Sequence, residues 1–268
     1  MISALKMRAR SILITGASSG IGQALALAYA RAGVRLALIA RDAERLRETA
    51  DEARRHGAEV DCGLLDVRQQ EAMAAWIKAA DGKRPIDLAI ANAGITTGLG
   101  PNEAAEDPAA VRAIIGINLI GVLNTVEPLI PSMLLRGAGH IAFMGSIAGL
   151  RGLPYAPAYC ATKAAVHAYS ESLRGRLGSR GVRVTLIVPG FVKTPLNDSI
   201  DAMKPLEMSA ADAAVRIQRG LDRGQAVIAF PAPLYYLTRL AKLLPITLVD
   251  KVMSQFKVNV PRTEERNS

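Results

Sequence analysis

Seven short apolar segments, separated by longer stretches of helical period, constrain the fold of this chain more than any other feature. They are SILIT at 11–15, VRLALIA at 34–40, AEVDCGLL at 58–65, IDLAIA at 86–91, GHIAFMG at 139–145, VRVTLIVP at 182–189 and AVIAF at 226–230. Strands rich in Val, Ile and Leu that alternate with helices are typical of a parallel sheet covered by helices on both faces. The sequence therefore predicts a doubly wound α/β fold.

The chain has 268 residues, half of them apolar, so it can bury a large core within one domain. Its character changes only after Phe230, which predicts a main domain over 1–230 and a C-terminal extension over 231–268.

Two cysteines, Cys62 and Cys160, are too few for a disulfide framework, and no Cys/His cluster has metal-ligand spacing. The basic N-terminal segment has no signal-peptide apolar run. We therefore expect no metal and a cytoplasmic location.

The net charge of +9 would suit nucleic acid, anionic lipid or a phosphorylated ligand. Arg and Lys are spread along the whole chain, without an Arg-rich arm, a zinc finger or an aromatic-interleaved RNA motif. We therefore expect no nucleic-acid partner, and much of the excess charge is expected on a solvated surface.

The segment TGASSGIG joins the first predicted strand to the first helix. Gly16 permits a tight exit from the strand, Gly20 lets the backbone approach a pyrophosphate, and Gly22 lets the helix pack close to the sheet. Ser18 and Ser19 add hydroxyl donors. The spacing departs from G-x-G-x-x-G, and a plain strand-to-helix turn is the alternative. Its place at the first βα junction, about 20 residues before a charged strand end, favours a dinucleotide and a Rossmann-type fold.

That second strand ends at Arg41, where an acidic residue would bind the adenosine ribose hydroxyl of NAD. A guanidinium suits a 2′-phosphate, so NADP(H) is favoured over NAD(H). The alternative is a solvated Arg41 at a helix start, with Asp42 capping that helix.

A tyrosine and a lysine lie four positions apart in YCATK, at 159 and 163. Residues at this interval share one helix face, so the phenol and the ammonium can act on the same small volume. A free Tyr, with a pKa of about 10, is a poor acid or base at neutral pH, and a neighbouring cation would lower that pKa.

Six motifs together resemble the short-chain dehydrogenases/reductases over roughly residues 10 to 230. They are TGASSGIG at 15–22, ANAG at 91–94, Asn118 in IGINLIG, Ser146 in FMGSIAG, YCATK at 159–163 and PGFVKT at 189–194. The resemblance implies an enzyme in which Tyr159 is the general acid/base and Ser146 holds the carbonyl oxygen. It also implies that Lys163 holds the nicotinamide ribose and that Asn118 anchors a water linked to Lys163.

The same resemblance implies a set of cofactor-contacting residues and a homodimer or homotetramer. The set is Gly16, Ser18, Ser19, Gly20, Ile21, Gly22, Arg41, Asp66, Val67, Asn92, Ala93, Gly94, Tyr159, Lys163, Ile187, Pro189, Gly190, Val192 and Thr194. One departure is Ala91, where many members have a second Asn. Cys160 is expected to be a packed small residue, and His56, His140 and His167 to be structural.

Substrate contacts are expected from 147–158, from 191–208 and from the segment after Phe230, whose Leu, Met, Pro and Tyr favour a lipophilic substrate. In the C-terminal segment, Arg239, Lys242 and three prolines argue against a membrane-spanning helix. Three places remain open for its amphipathic part: over the pocket, against a second subunit, or on an anionic membrane surface through 233–249.

The leading hypothesis is an NADP(H)-dependent oxidoreductase acting on a carbonyl/alcohol pair. The alternative is an NADP-binding regulatory or membrane-surface module without turnover, against which the complete set of catalytic residues argues. A sugar-nucleotide epimerase is disfavoured by the glycine spacing and the small C-terminal region.

Overall fold

Nine strands form in the computed structural model, which describes residues 9–96, 98–99, 103–198 and 204–253, without the side chains of 248 and 251–253. They are β1 (Ser11–Thr15), β2 (Arg35–Ala40), β3 (Glu59–Leu64), β4 (Leu88–Ala91), β5 (Gly139–Met144), β6 (Val182–Pro189), β7 (Val192–Lys193), β8 (Met208–Ser209) and β9 (Val227–Phe230). Seven of them form one parallel sheet in the order β3-β2-β1-β4-β5-β6-β9, and β7 pairs with β8. The predicted doubly wound α/β fold is confirmed.

Eleven α-helices connect these strands in the described part of the chain. They are α1 (Gly20–Tyr29), α2 (Ala43–Arg55), α3 (Gln70–Lys83), α4 (Pro108–Ile115), α5 (Gly121–Val126), α6 (Ile130–Arg136), α7 (Pro157–Leu177), α8 (Pro195–Asp198), α9 (Ala210–Asp222), α10 (Ala232–Ala241) and α11 (Ile246–Met253). One turn of π-helix, Gly116–Ile120, joins α4 to α5. Single π turns of this kind occur often at functional sites.

Apolar cores lie on both faces of the sheet, because successive side chains of a strand point to opposite faces. In β1, Ile12 and Ile14 pack with residues of α1, α2 and α9, whereas Leu13 packs with residues of α3, α5, α6 and α7. Every residue of β1 and β2 is buried. This explains why these strands appear in the sequence as continuous apolar segments without alternation.

The strand order places a crevice at the carboxyl ends of the central strands. From β1 the chain moves outwards to β2 and β3, then returns to the other side of β1 and continues through β4, β5 and β6. The connection after β1 therefore lies on one face of the sheet and the connection after β4 on the other. Ligands of such sheets bind in the crevice between these two connections.

Among the described residues, one helical run, Pro108–Arg136, is long and apolar enough to cross a membrane by length and composition. Half of its most apolar window is buried inside the protein, and its first helix, α4, packs on α7. A core helix of a globular domain meets the same criteria.

Candidate functional site

One cavity of about 1230 Å³ lies at the carboxyl ends of β1, β2, β4, β5 and β6. Of the residues predicted for cofactor and catalysis, it is lined by Gly16, Ser18, Ser19, Gly20, Ile21, Arg41, Asp66, Val67, Asn92, Ala93, Gly94, Ser146, Tyr159, Lys163, Pro189, Gly190, Val192 and Thr194. Gly22, Asn118 and Ile187 do not line it. The fold therefore brings nearly all of the predicted residues to one place.

The glycine loop is packed so closely that side chains would not fit at two of its glycines. Gly16 has a φ of 67°, which favours glycine, and a Cβ there would lie 2.9 Å from Ala93 Cα. A Cβ at Gly22 would lie 2.1 Å from the carbonyl oxygen of Gly16. Ser19 precedes α1, but its hydroxyl makes no capping bond to the helix. A free hydroxyl and free helix N–H groups beside a closely packed turn fit the pyrophosphate of a dinucleotide.

The end of this cavity next to β2, where the adenosine is predicted to bind, is basic. Arg41 follows β2, its side chain is 58% exposed, and its Nη1 lies 3.7 Å from Asp66 Oδ2. Asp42 caps α2, as predicted, because its carboxylate accepts from the backbone N–H of Arg45 at 3.0 Å. The Arg45 side chain also lines the cavity. The sequence analysis missed Arg45, although its place one helical turn after Arg41 was a usable signal.

Asn118 sits in the π turn and is fully buried. Its amide Nδ2 donates to the carbonyl oxygen of Ile95 and its Oδ1 accepts from the N–H of Ile95, both at 2.8 Å. These two hydrogen bonds to the Ile95 backbone fix the segment after β4 against the helical run Pro108–Arg136. The side chain lies close behind the cavity wall, since a Cβ at Gly94 would lie 3.3 Å from Asn118 Oδ1 and 3.7 Å from Lys163 Nζ.

Tyr159 and Lys163 lie in the first two turns of α7. The helix N-terminus is held by a distant carboxylate, because Glu106 Oε2 accepts from the N–H of Ala158 at 2.8 Å. Lys163 Nζ lies 5.7 Å from the centre of the Tyr159 ring and donates to the carbonyl oxygen of Met144, at the end of β5, at 2.9 Å. Burial lowers the pKa of Lys163 to about 8.

In the protein alone, the pKa of Tyr159 is raised, whereas an acid/base that works at neutral pH needs a lowered one. Burial raises it to about 12, while the hydrogen bond with the Ser146 hydroxyl opposes this rise. The Lys163 ammonium does not bring the value down, because that ammonium is itself desolvated and bonded to Met144. The expected lowering depended partly on the positive charge of an oxidised nicotinamide, and it stays a prediction for the cofactor-bound protein.

Ser146 follows β5 and is fixed from both sides. Its Oγ accepts from the N–H of Ala148 at 3.1 Å, and its hydroxyl also bonds to Tyr159. Its backbone N–H donates to His167 Nε2 at 3.3 Å. Nε2 is therefore the acceptor nitrogen, and a neutral ring carries its proton on Nδ1. Burial first, and then the charges of Lys163 and Lys242, lower the pKa of His167 to about 4, so the ring is neutral at physiological pH.

The substrate end of the cavity is mostly apolar and includes the C-terminal extension. Its walls include Leu153, Tyr155, Phe191, Leu196, Leu234, Leu237, Thr238, Ala241 and Leu244. Of the three places left open for the amphipathic segment, the structure puts α10 over this cavity. Positions 199–203 and 254–268 of the predicted substrate-side segments lie outside the described residues.

Two smaller expectations concern cysteine and metal. Cys160 is buried and its sulfur accepts from the N–H of Leu153 at 3.3 Å, which confirms a packed side chain. Within the described ranges, no group of three or more His, Cys, Asp and Glu side chains could hold a metal ion.

The sequence of this chain is similar to those of known dehydrogenases and oxidoreductases. The sequence model described as short chain dehydrogenase matches residues 10–205. An uncharacterized oxidoreductase of Myxococcus xanthus is 40% identical over 247 residues, which cover 91% of this chain and 96% of the relative.

Two solved structures show the same similarity in three dimensions. A short-chain dehydrogenase/reductase from Burkholderia phymatum, in complex with NAD, has a TM-score of 0.80 at 26% identity, covering 97% of this chain and 99% of the other. A short-chain dehydrogenase from Sphingobium yanoikuyae, in complex with NADPH, has a TM-score of 0.77 at 27% identity, covering 92% and 96%.

Proposed function

The chain belongs to the short-chain dehydrogenase/reductase family and is therefore an oxidoreductase, and we propose that it uses NADP(H) to interconvert a carbonyl group and a secondary alcohol on a lipophilic substrate. The main support for the proposal is that Ser146, Tyr159 and Lys163 line the same cavity as the glycine loop. This combination supports proton transfer beside a bound dinucleotide.

The chain's own residues handle the proton and the oxygen atom of the substrate. A bound nicotinamide supplies or accepts the hydride. In the reductive direction the Tyr159 hydroxyl protonates the carbonyl oxygen, and Ser146 donates a hydrogen bond to the same oxygen. The Ser146 hydroxyl bonds to Tyr159 in the protein alone, and it can turn its hydrogen to the carbonyl oxygen while its own oxygen still accepts from the N–H of Ala148.

Lys163 and Asn118 act around this pair. In the cofactor-bound protein, the Lys163 ammonium and the positive charge of an oxidised nicotinamide would together stabilise a phenolate on Tyr159 and so favour proton release. By family resemblance Lys163 also holds the nicotinamide ribose, and Asn118 anchors a water linked to Lys163. The fixed position of Asn118 against Ile95 supports a scaffold role as well.

The preference for NADP(H) rests on Arg41 and Arg45, which line the same end of the cavity. Two guanidinium groups suit a 2′-phosphate, for which charge-assisted bonds contribute about 1.5–3 kcal/mol each. Solved relatives carry NADPH in one case and NAD in another, so family membership alone does not decide between them.

The remaining proposals concern the substrate and the assembly. Leu153, Phe191 and Leu234 on the cavity walls support a lipophilic carbonyl substrate. Residues 1–230 form the dinucleotide-binding and catalytic domain, and 231–268 form the substrate-side extension. We further propose a homodimer or homotetramer in the cytoplasm.

The cofactor proposal is tested by titrating purified protein with NADPH and with NADH. Arg41→Ala should weaken NADPH binding by about tenfold or more and leave NADH binding unchanged, because only NADPH carries the 2′-phosphate. Arg47→Ala is the matched control, since Arg47 is exposed on α2, the helix that follows Arg41, and does not line the cavity.

The activity is tested by following nicotinamide absorbance with ketones that run from short-chain to steroid-sized and long-acyl compounds. Turnover of the bulky apolar ketones supports the proposal. Equal affinity of the wild type for NADPH and NADH contradicts the cofactor assignment. Tight NADPH binding without turnover of any ketone favours a regulatory module instead.

A further inference from the structure

A continuous apolar surface covers the outer side of α10 and the turn after it. We define the α10 patch as Tyr236, Leu237, Leu240, Leu243, Leu244 and Ile246, all of which are exposed. Leu243 is 82% and Leu237 65% exposed. The opposite side of α10 is anchored by Tyr235, which is buried in the core. The leucines therefore project outwards from a helix that is firmly attached to the domain.

The cations next to the patch have no acidic partner among the described residues. Arg239 stacks on the Tyr235 ring, 5.7 Å from its centre, and donates to its hydroxyl at 3.1 Å, whereas Lys242 is exposed. Between 231 and 253 the sequence has a single acidic residue, Asp250, and Arg151 pairs with it. The surface around the patch is therefore apolar and basic, which is complementary to an anionic lipid headgroup layer.

The same surface forms a wall of the catalytic cavity. Leu237 and Leu244 are exposed to solvent and also line the cavity. Leu206, next to the cavity-lining Pro205, is 60% exposed. The apolar surface of the patch therefore meets the apolar walls of the cavity at Leu237 and Leu244.

We propose that the α10 patch docks on an anionic lipid bilayer and that the cavity receives its carbonyl substrate from that bilayer. The second part rests on the function proposed above. A bilayer fits this surface better than a second copy of the chain. Pairing of two copies through their patches would bring two α10 helices close together, each with Arg239 within it, Lys242 at its end and no acidic residue.

Docking is tested by co-sedimentation of the full-length protein with vesicles of phosphatidylcholine alone or mixed equally with phosphatidylglycerol. The wild type should bind the mixed vesicles more strongly, and added salt should weaken this binding. Leu240→Gln and Leu243→Gln should each reduce binding by roughly tenfold, because each removes a leucine that inserts into the lipid. Lys242→Gln should reduce it by roughly fivefold on mixed vesicles only.

Leu135→Gln is the matched control, because Leu135 on α6 is 90% exposed and does not belong to the patch. It should bind vesicles like the wild type. Absence of vesicle binding by the wild type overturns the proposal. So does a wild-type oligomer that Leu240→Gln or Leu243→Gln dissociates in size-exclusion chromatography, because the patch would then bind a second copy.

Delivery is tested with two ketones, one short and water-soluble, and one a long-chain methyl ketone carried in mixed vesicles. The Leu240→Gln and Leu243→Gln variants should keep the wild-type turnover of the short ketone and lose roughly tenfold on the vesicle-borne one. Equal turnover of the vesicle-borne ketone by variant and wild type overturns delivery from the bilayer. Vesicle binding by a wild type that turns over neither ketone instead contradicts the proposed function and leaves docking intact.

Discussion

At the scale of the residue, Tyr159 is the group whose loss should separate binding from chemistry. Tyr159→Phe keeps the ring and removes the hydroxyl, so NADPH binding should be unchanged while turnover falls by about 10²–10⁴-fold. Tyr155→Phe is the control, since Tyr155 lines the same cavity and lies four residues earlier, just before α7. Fluorescence titration and initial rates measure the two effects, and wild-type turnover in Tyr159→Phe would rule out the proposed acid/base.

His167 should act on catalysis through Ser146, because its Nε2 accepts the Ser146 N–H. His167→Leu leaves that donor without its partner and should lower kcat/KM for a ketone by about ten- to hundredfold, with NADPH binding unchanged. His167→Gln can place an amide oxygen at the position of Nε2 and should recover most of the rate.

A double-mutant cycle separates this role from a general effect on folding. In a Ser146→Ala background, His167→Leu should have little further effect on the rate, because the group it positions is already absent. Losses that multiply in the double variant would show that His167 acts independently of Ser146. The sequence contained one signal of this role, the four-residue interval that places His167 on the Lys163 side of α7.

At the scale of the element, the contact between the glycine loop and α1 should be intolerant of even one methyl group. Gly22→Ala would place a Cβ 2.1 Å from the Gly16 carbonyl oxygen, so the loop and helix must separate. We expect a loss of about 1–3 kcal/mol in the free energy of unfolding, together with loss of NADPH binding.

Gly82 in α3 provides the comparison, because a Cβ there would meet nothing within 4 Å. Gly82→Ala should raise the free energy of unfolding by roughly 0.5–1 kcal/mol, since alanine favours the helix, and should leave NADPH binding unchanged. Urea unfolding and fluorescence titration measure both variants. Normal NADPH binding by Gly22→Ala would mean that the loop can move aside at low cost.

Elements differ in how well they could be predicted. The seven sheet strands were predictable because burial on both faces requires apolar side chains at nearly every position, as in β1 and β2. The pair β7 and β8 was not, because two residues per strand carry no periodic pattern. The π turn around Asn118 was also missed, since its sequence continues the helical pattern on either side.

The residues of the site also differ in how well they could be predicted. Its glycine, tyrosine and lysine positions could be predicted because they lie in short motifs that resemble those of a known family. The role of His167 and the position of α10 depend on which surfaces meet in three dimensions. An amphipathic helix such as α10 specifies that it docks on something apolar, but its own sequence does not identify that surface.

At the scale of the whole molecule, two buried neutral histidines should make stability fall in mild acid. Burial first, and then the charge of Arg183, lower the pKa of His140 to about 3, and the pKa of His167 is about 4. Between pH 6.5 and 4 the unfolded chain therefore binds more protons than the folded one. The free energy of unfolding should decrease as pH falls through this window, by about 3 kcal/mol for each histidine.

His140 bridges β5 and β6, where its Nε2 lies 2.8 Å from Thr185 Oγ1, and that hydroxyl donates to the Gln225 carbonyl oxygen. A glutamine amide can replace the Nε2 donor without titrating, so urea unfolding of His140→Gln should show a pH dependence smaller by about 3 kcal/mol. Identical pH dependence in His140→Gln and wild type would contradict the assignment.

The two ends of the cavity come from different parts of the chain, and this matters for how such a protein can change over time. The dinucleotide end is built from the junctions after β1, β2 and β4, which also hold the sheet together, whereas the substrate end takes walls from α10 and the segment after β6. Mutations that enlarge or reshape the substrate end can therefore accumulate without damaging the groove for the cofactor. A lineage, or a directed-evolution library, could therefore change which substrates are accepted by varying α10 and the segment after β6.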